Sequence, residues 1–321
     1  MALHTLAEAS NHFNDPIQKG VADVLITVSP FYEYVPYIPV AGRVLTVNEE
    51  LVAGEAEFSS ENDLVGASGS GVALADGMTV TSKTFTVEAC IGQAHVDRLN
   101  QATSAAAGVD QMAMQVASKG RNVGRKFWSA LATGSNASPT PIGLPDGCTS
   151  TSGFGIDTKN PAGDDTDTAD VMAQMDRLLN AITSQNGKVD WIMMNSGTMN
   201  AYRAAVRGSN QNYEYMTSPV SGQNLLSFNG VPIFRNDHIA TSDASAGISE
   251  TQNYAFAGCW EDGSNTGLGF IYPEGTSAGI DVRGLGESEL YNAEVARVVQ
   301  YGAWALFNSK GAARVYLDIT S

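Results

Sequence analysis

The chain has 321 residues, of which 43% are apolar, 8% aromatic and 16% charged, with 33 glycines, enough to bury a sizeable core in one large or two modest domains. Lys plus Arg number 18 against 34 for Asp plus Glu, a net charge of −16, which disfavours a non-specific nucleic-acid binder because phosphate contacts are basic contacts. A charged fraction well under the ~25% usual for soluble domains leaves a lone monomer short of solvating groups. Either other subunits cover much of its surface, or it is a Ser/Thr-rich extracellular module.

In chain order, Leu3 to Phe13 and Ile17 to Val28 repeat apolar residues at helical spacing on either side of Pro16, predicting two short amphipathic helices. Pro30, Pro36 and Pro39 interrupt the aromatic run Phe31, Tyr32, Tyr34 and Tyr37. That pattern predicts no helix but an extended strap in need of a surface to lie on. Strand-like pieces at Val44–Val47 and from Thr79 enclose a Gly/Ser-rich stretch with Glu49, Glu50, Glu55, Glu57, Glu61 and Asp63, expected to project as an arm or hairpin. Phe85, Val87, Ala89 and Ile91 alternate with polar residues as one buried strand face.

The strongest helix carries Val109, Met112, Val116, Val123, Phe127 and Leu131 on one stripe and stops at Gly134. At ~1.5 Å per residue it exceeds 30 Å and suits a strut; Gly120 and Gly124 weaken it, so packing must hold it. Its cations, Lys119, Arg121, Arg125 and Lys126, are expected towards its C-terminal half, in ion pairs with acidic neighbours rather than on DNA. A boundary belongs in the loop-like 139–165. After it come a helix with Val171, Met175, Leu178, Leu179 and Ile182, a buried strand Val189–Met194, and a helix capped by Asn195 or Ser196 that carries Met199, Tyr202 and Val206. Asn229-Gly230 between Leu225–Phe228 and Val231–Phe234 signals a type I′ hairpin, with Pro232 placing it at a sheet edge. The remainder reads as strands near 254–258, 268–272, 280–282, 295–307 and 314–319.

Chemical motifs are missing. His4, His12, His95 and His238 are scattered, Gly66–Gly71 fits neither a nucleophile elbow nor a dinucleotide loop, and Asp164, Asp165, Asp167 and Asp170 lack the remainder of a calcium loop. Cys90, Cys148 and Cys259 lie far apart, which argues against disulfides and zinc, and the apolar stretch Val24–Val28 is too brief for a signal core, so the reducing cytosol is the expected compartment. No catalytic residue, cofactor or metal is expected, no apolar run is long enough to span a membrane, and the function reads as non-catalytic.

The order of parts resembles one family. TLAEASNHFNDPIQKGVADVLITVSPFYEYVPYIPVAGRVLTVNEE is similar to the N-terminal arm of tailed-bacteriophage major capsid proteins of the Hong Kong 97 type, in which a helix, "SP", an aromatic Pro-rich strap and a strand lead into an extended hairpin. IGQAHVDRLNQ resembles the stretch before that family's spine helix, and KFWSALATGSNASPTPIGLPDG resembles the spine's end and the turn beyond it. WIMMNSGTMNAYRAAVRG and LLSFNGVPIFRNDHIA resemble the axial domain's strand, helix and hairpin.

The resemblance implies an α+β fold: an arm (1–42), an extended hairpin loop (43–83), a peripheral domain (84–134 and 276–321) with a spine helix over about 92–134, and an axial domain (135–275). It implies a structural protein that self-assembles into pentamers, hexamers and an icosahedral shell around double-stranded DNA held without sequence-specific contacts. The shell would be part of a virion built in the bacterial host cytoplasm, with no membrane, and with separate scaffolding, portal and cement proteins as further partners. Members that crosslink use a hairpin lysine, whereas between Gly42 and Asp76 this chain has only Arg43, so non-covalent contacts or a cement protein are expected to hold the shell. The expected subunit-contact residues are Phe31, Tyr34, Tyr37, Arg43, Glu55, Glu57, Phe58, Arg121, Arg125 and Lys126. The alternatives are an encapsulin-like compartment with a cargo enzyme, an extracellular β-rich binding module, and a hydrolase using the loop serines.

Overall fold

A computed structural model describes residues 4–5, 29–52, 79–105, 110–134, 140–147, 157–158, 168–184, 187–208, 214–218, 222–239, 252–264, 266–288 and 292–318. Two sheets and a long helix share one aromatic core.

The first sheet is built from β1 (His4–Thr5), β2 (Pro36–Val40), β12 (Leu268–Pro273), β14 (Ala293–Leu306) and β13 (Ile280–Glu287), with β5 (Glu88–Asp97) on the far side of β14. β1 pairs antiparallel with β2, so these two residues are strand where a helix was expected; the rest of both expected helices lies outside the described residues. The second sheet runs β6 (Asp157–Thr158), β15 (Ala312–Asp318), β11 (Gln252–Gly258), β7 (Trp191–Met194), β10 (Val231–Arg235), β9 (Asn224–Phe228) and β8 (Glu214–Thr217). The expected division at residue 275 therefore does not follow the sheets. β12 lies before it yet joins the first sheet, and β15 lies far beyond it yet joins the second.

The strap folds differently from the sequence reading. Phe31–Tyr34 is a single helical turn, α1, because Pro30 occupies its cap with φ −56° and Val35, extended ahead of Pro36, ends it. Prolines at both ends permit one turn and forbid a second. Ser29 Oγ accepts the Phe31 N–H at 3.3 Å. From Pro36 the chain is extended, as expected, and pairs parallel to β12.

After β5, a short helix α2 (Arg98–Ala105) precedes the spine helix α3 (Gln111–Thr133), about 34 Å long at 1.5 Å per residue. Residues 92–97, assigned to the spine by resemblance, are strand. Asp110 caps α3 by accepting the Ala113 N–H at 3.1 Å, and Gly134 ends it as expected. Gly120, Val123, Gly124, Phe127, Trp128 and Leu131 are its buried face. Gly92 of β5 lets the helix sit close, since a Cβ there would lie 3.2 Å from Lys119 Cβ. Tyr32 Oη donates to Gly124 O at 2.8 Å and Trp304 Nε1 donates to Phe127 O at 2.8 Å, so side chains from elsewhere in the core hold the helix at and after Gly124.

β5 also corrects a pattern. Phe85 and Val87 are buried, but the inward face then shifts to Cys90, Gly92, Ala94 and Val96, leaving Ile91 58% exposed. Val87 N donates to Arg43 O at 2.8 Å where the chain leaves one ladder for the next, and that break changes which side faces in.

In the second layer, α4 (Leu144–Gly147) lies in the loop-like region, and α5 (Thr168–Thr183) and α6 (Ser196–Gly208) pack on the sheet through Met175, Leu178, Ile182, Met199, Tyr202 and Val206. Asn195 Oδ1 accepts the Thr198 N–H at 2.8 Å and so caps α6. The turn at Asn229 (φ 49°) and Gly230 (φ 77°) is the expected type I′. β10 is an interior strand, however, not an edge. Pro232 is tolerated because pairing with β7 begins only at Ile233, so the missing N–H costs no bond there.

Candidate subunit-contact surfaces

Phe31 is 0% exposed and lies within 4.9–6.1 Å, centroid to centroid, of Trp128, Trp191, Trp260, Trp304 and Phe234. Those are all four tryptophans of the chain, drawn from the spine, both sheets and the loop after β11. Tyr37, 1% exposed, packs on Phe270 at 4.9 Å. Phe31 and Tyr37 are therefore core residues of this chain and not contacts to a neighbour. The aromatic strap finds its surface inside its own subunit, where the transfer of large apolar area is complete. Tyr34 is half-buried, edge-on to Phe234 at 5.5 Å, and burial raises its phenol pKa above the usual value.

The hairpin's base is the antiparallel pair β3 (Val44–Val52) and β4 (Thr79–Thr86). One face packs on the body: Val47 and Phe85 are buried with Ile271, Ala305 and Phe307, the two phenyl rings 5.9 Å apart. On that face Glu49 is buried and pairs with Lys83 at 2.7 Å. Glu49, counted from sequence among acids reaching outward, is thus bonded within its own hairpin. The other face, with Val44, Thr46, Val80 and Thr84, is open. Arg43, 71% exposed at its side chain, pairs with Glu88 at 3.4 Å, a weak surface contact. Glu55, Glu57 and Phe58 lie outside the described residues.

The spine carries the basic candidates. From Gln111 to Thr133 there is no Asp or Glu, whereas Arg121, Arg125 and Lys126 are exposed and Lys119 is half-exposed. None of the four makes an ion pair among the described residues, and the expected acidic partners at 55–63 lie outside them. They also stand in the middle of the helix rather than its last turn, because the helix continues to Thr133.

Arg125 joins residues that no sequence spacing connects. It borders a groove of about 500 Å³ with Arg203 of α6 and Arg235 and His238 of the β10 end, over a floor that includes Trp128 and Phe234. Asp237 is the groove's acid; it pairs with Arg235 and accepts the Ser196 N–H at 3.0 Å. Its hydrogen bond with Arg235 holds its carboxyl below the usual range. His95 and His238 are surface side chains, and among the described residues no three His, Cys, Asp or Glu groups gather as a metal centre. No described helix is long and apolar enough to cross a membrane.

No family model matches this sequence, and no curated protein does. Solved structures do. The chain is similar to the SrpI encapsulin of Synechococcus elongatus, with a TM-score of 0.64 at 13% identity over 91% of this chain and 88% of that one. It is similar to the capsid of an empty GTA particle, with 0.55 at 12% identity over 88% and 93%. A chain of Mycobacterium phage Bobi scores 0.56 at 14% identity over 92% and 90%. The fold shared with them is the Hong Kong 97 type, as the order of sequence motifs implied.

Proposed function

We propose that the chain is the repeating subunit of a protein shell, a structural major capsid protein that self-assembles into pentamers and hexamers and closes an icosahedral particle around a phage's double-stranded DNA. One observation carries this reading: the likeness to capsid and phage chains spans about nine-tenths of both partners rather than a shared core alone. Two physical features agree. A chain with 16% charged residues is suited to having its surface covered, and a two-stranded hairpin with one open face is marginal in water until something packs on it. A lattice sums many modest contacts, so each can be weak. The role is structural rather than catalytic, its place is the virion assembled in the host cytoplasm, and portal, scaffolding and cement proteins would be separate chains.

A second reading is a cellular compartment of encapsulin type, favoured by the higher TM-score to the SrpI encapsulin. Negative-stain microscopy of the purified protein tests both: closed particles of uniform diameter are expected, and monomers at high concentration refute them. Nuclease-protected DNA in particles from the native source identifies a capsid; a co-purifying enzyme with no DNA identifies a compartment.

A further inference from the structure

Of three clefts among the described residues, two balance their charges. One sets Arg43 against Glu88, and another, walled by Cys259 and Trp260, sets Lys188 and Lys310 against Asp190 and Asp262. The third is the groove of about 500 Å³ lined by Arg125, Arg203, Arg235 and His238, with Asp237 as its one acid. That acid is already engaged by Arg235 and by the Ser196 N–H. Three guanidiniums from three elements, α3, α6 and β10, repel one another across a shared groove, and an anion bound between them removes that cost. A chain at −16 repels anions as a whole, so uptake of one depends on a local cluster of this kind.

The donor set suits a phosphate group. A guanidinium offers a planar fork, and one such fork satisfies a carboxylate. A tetrahedral phosphate instead presents oxygens in several directions and can take forks that arrive from three elements. Part of this donor set is ordered before any anion arrives, because Arg203 is half-buried and Arg235 is held by its pair with Asp237, so less side-chain entropy is lost on binding. The groove's volume lies in the range of small-ligand sites, ~300–1,000 Å³, and half-buried Leu225 gives any organic group carried by the phosphate an apolar wall. The spine adds to the field: it has no Asp or Glu from Gln111 to Thr133, and Arg121 and Lys126 stand exposed on it beside Arg125.

We propose that this groove is a phosphate-binding site, in which Arg125, Arg203 and Arg235 grip a phosphate group and His238 is a further donor. The ligand is a phosphate, free or as a diester of a nucleic-acid strand; both present the same oxygens to the arginines. The site stands apart from the shell reading, since a single copy supplies every residue named.

The test is equilibrium dialysis of the purified full-length chain at low ionic strength, against radiolabelled inorganic phosphate and, separately, a short oligothymidylate. Saturable uptake is expected. Arg125→Gln, which alters an exposed residue and leaves the core intact, and Arg235→Gln are each expected to weaken it about tenfold or more, with the unfolding midpoint kept. Lys188→Gln, in a balanced cleft, is expected to leave it unchanged. Phosphate uptake that is lost with Arg125, without uptake of the oligonucleotide, supports the site and names free phosphate as its ligand. Oligonucleotide uptake that inorganic phosphate displaces, and that falls steeply with salt, supports the site and names the strand. Absence of saturable uptake of both overturns the proposal, and so does uptake that Arg125→Gln and Arg235→Gln leave within about twofold of wild type.

Discussion

Phe31→Ala removes the side chain on which both layers close. The ring is 0% exposed and meets five other rings at 4.9–6.1 Å, so nearly all of its apolar area, on the order of 150–200 Å² for a phenylalanine, is buried. At ~25 cal/mol per Å² the transfer term is about 4–5 kcal/mol, and the large-to-small range for phenylalanine is about 3–5 kcal/mol. The ring pairs are part of that cost and are not added to it. Chemical denaturation of the dissociated subunit is the assay, because assembly would otherwise stabilise the folded state by mass action. A loss of about 4 kcal/mol corresponds to a melting point lowered by about 6 °C in a chain of 321 residues. All four tryptophans touch this ring, so native emission itself should shift to longer wavelength as their shared packing loosens. Phe31→Leu, which keeps most of the volume, should cost about 1–1.5 kcal/mol. An Ala variant within 1 kcal/mol of wild type, with unchanged emission, refutes the reasoning: the strap would then be lying on the core rather than joining it.

Two neighbouring tyrosines should behave oppositely. Tyr32→Phe loses the bond to Gly124 O and is expected to destabilise by about 1 kcal/mol, whereas Tyr37 Oη is buried with no partner among the described residues, so Tyr37→Phe is expected to be neutral or stabilising by about 1 kcal/mol. Lys83→Met leaves the buried Glu49 carboxylate without its ammonium and should cost about 1–3 kcal/mol, less than a fully buried pair because Lys83 is partly exposed; pairing it with Glu49→Gln should recover part of the loss in a double-mutant cycle. Burial pushes the Cys259 thiol up to about 11 and raises the Tyr32 and Tyr37 phenols, so the folded state holds protons that the unfolded chain has released. The stability they contribute is complete below about pH 9 and is lost as pH rises through 11 and beyond, which denaturation midpoints between pH 8 and 12 would show; a flat profile contradicts it. The same burial should leave Cys259 unlabelled by maleimide at pH 7 until the chain unfolds.

Local signals were legible in the sequence and spatial ones were not. The spine stripe, the Asn229-Gly230 turn, the Asn195 cap and every strand after residue 250 depend on residues close in sequence, and each formed as its pattern required. The strap's burial depended on tryptophans 97 to 273 residues downstream, so its aromatic content announced a need for cover without saying whose. β5 changed its inward face at Val87 because its pairing partner changed, which period-2 alternation cannot show. Of the contact candidates, Arg121, Arg125 and Lys126 proved exposed. The meeting of Arg125 with Arg203 and Arg235 across three elements had no sequence spacing to reveal it.

The crossing of the chain between its sheets bears directly on assembly. β14 runs 14 residues through the first sheet, a short 3₁₀ turn at Ser309–Gly311 reverses it, and β15 enters the second sheet between β6 and β11. Two layers joined by that strand exchange, by α1 and by a common aromatic cluster have no independent stability to lose separately, so they are expected to unfold as one cooperative unit. Binding through weak contacts requires that little ordering entropy be spent at the moment of association. Two layers joined in this way leave little of that cost within the body itself. The strap takes part in that joining: Phe31, drawn inward, meets all four tryptophans, which come from the spine, both sheets and the loop after β11.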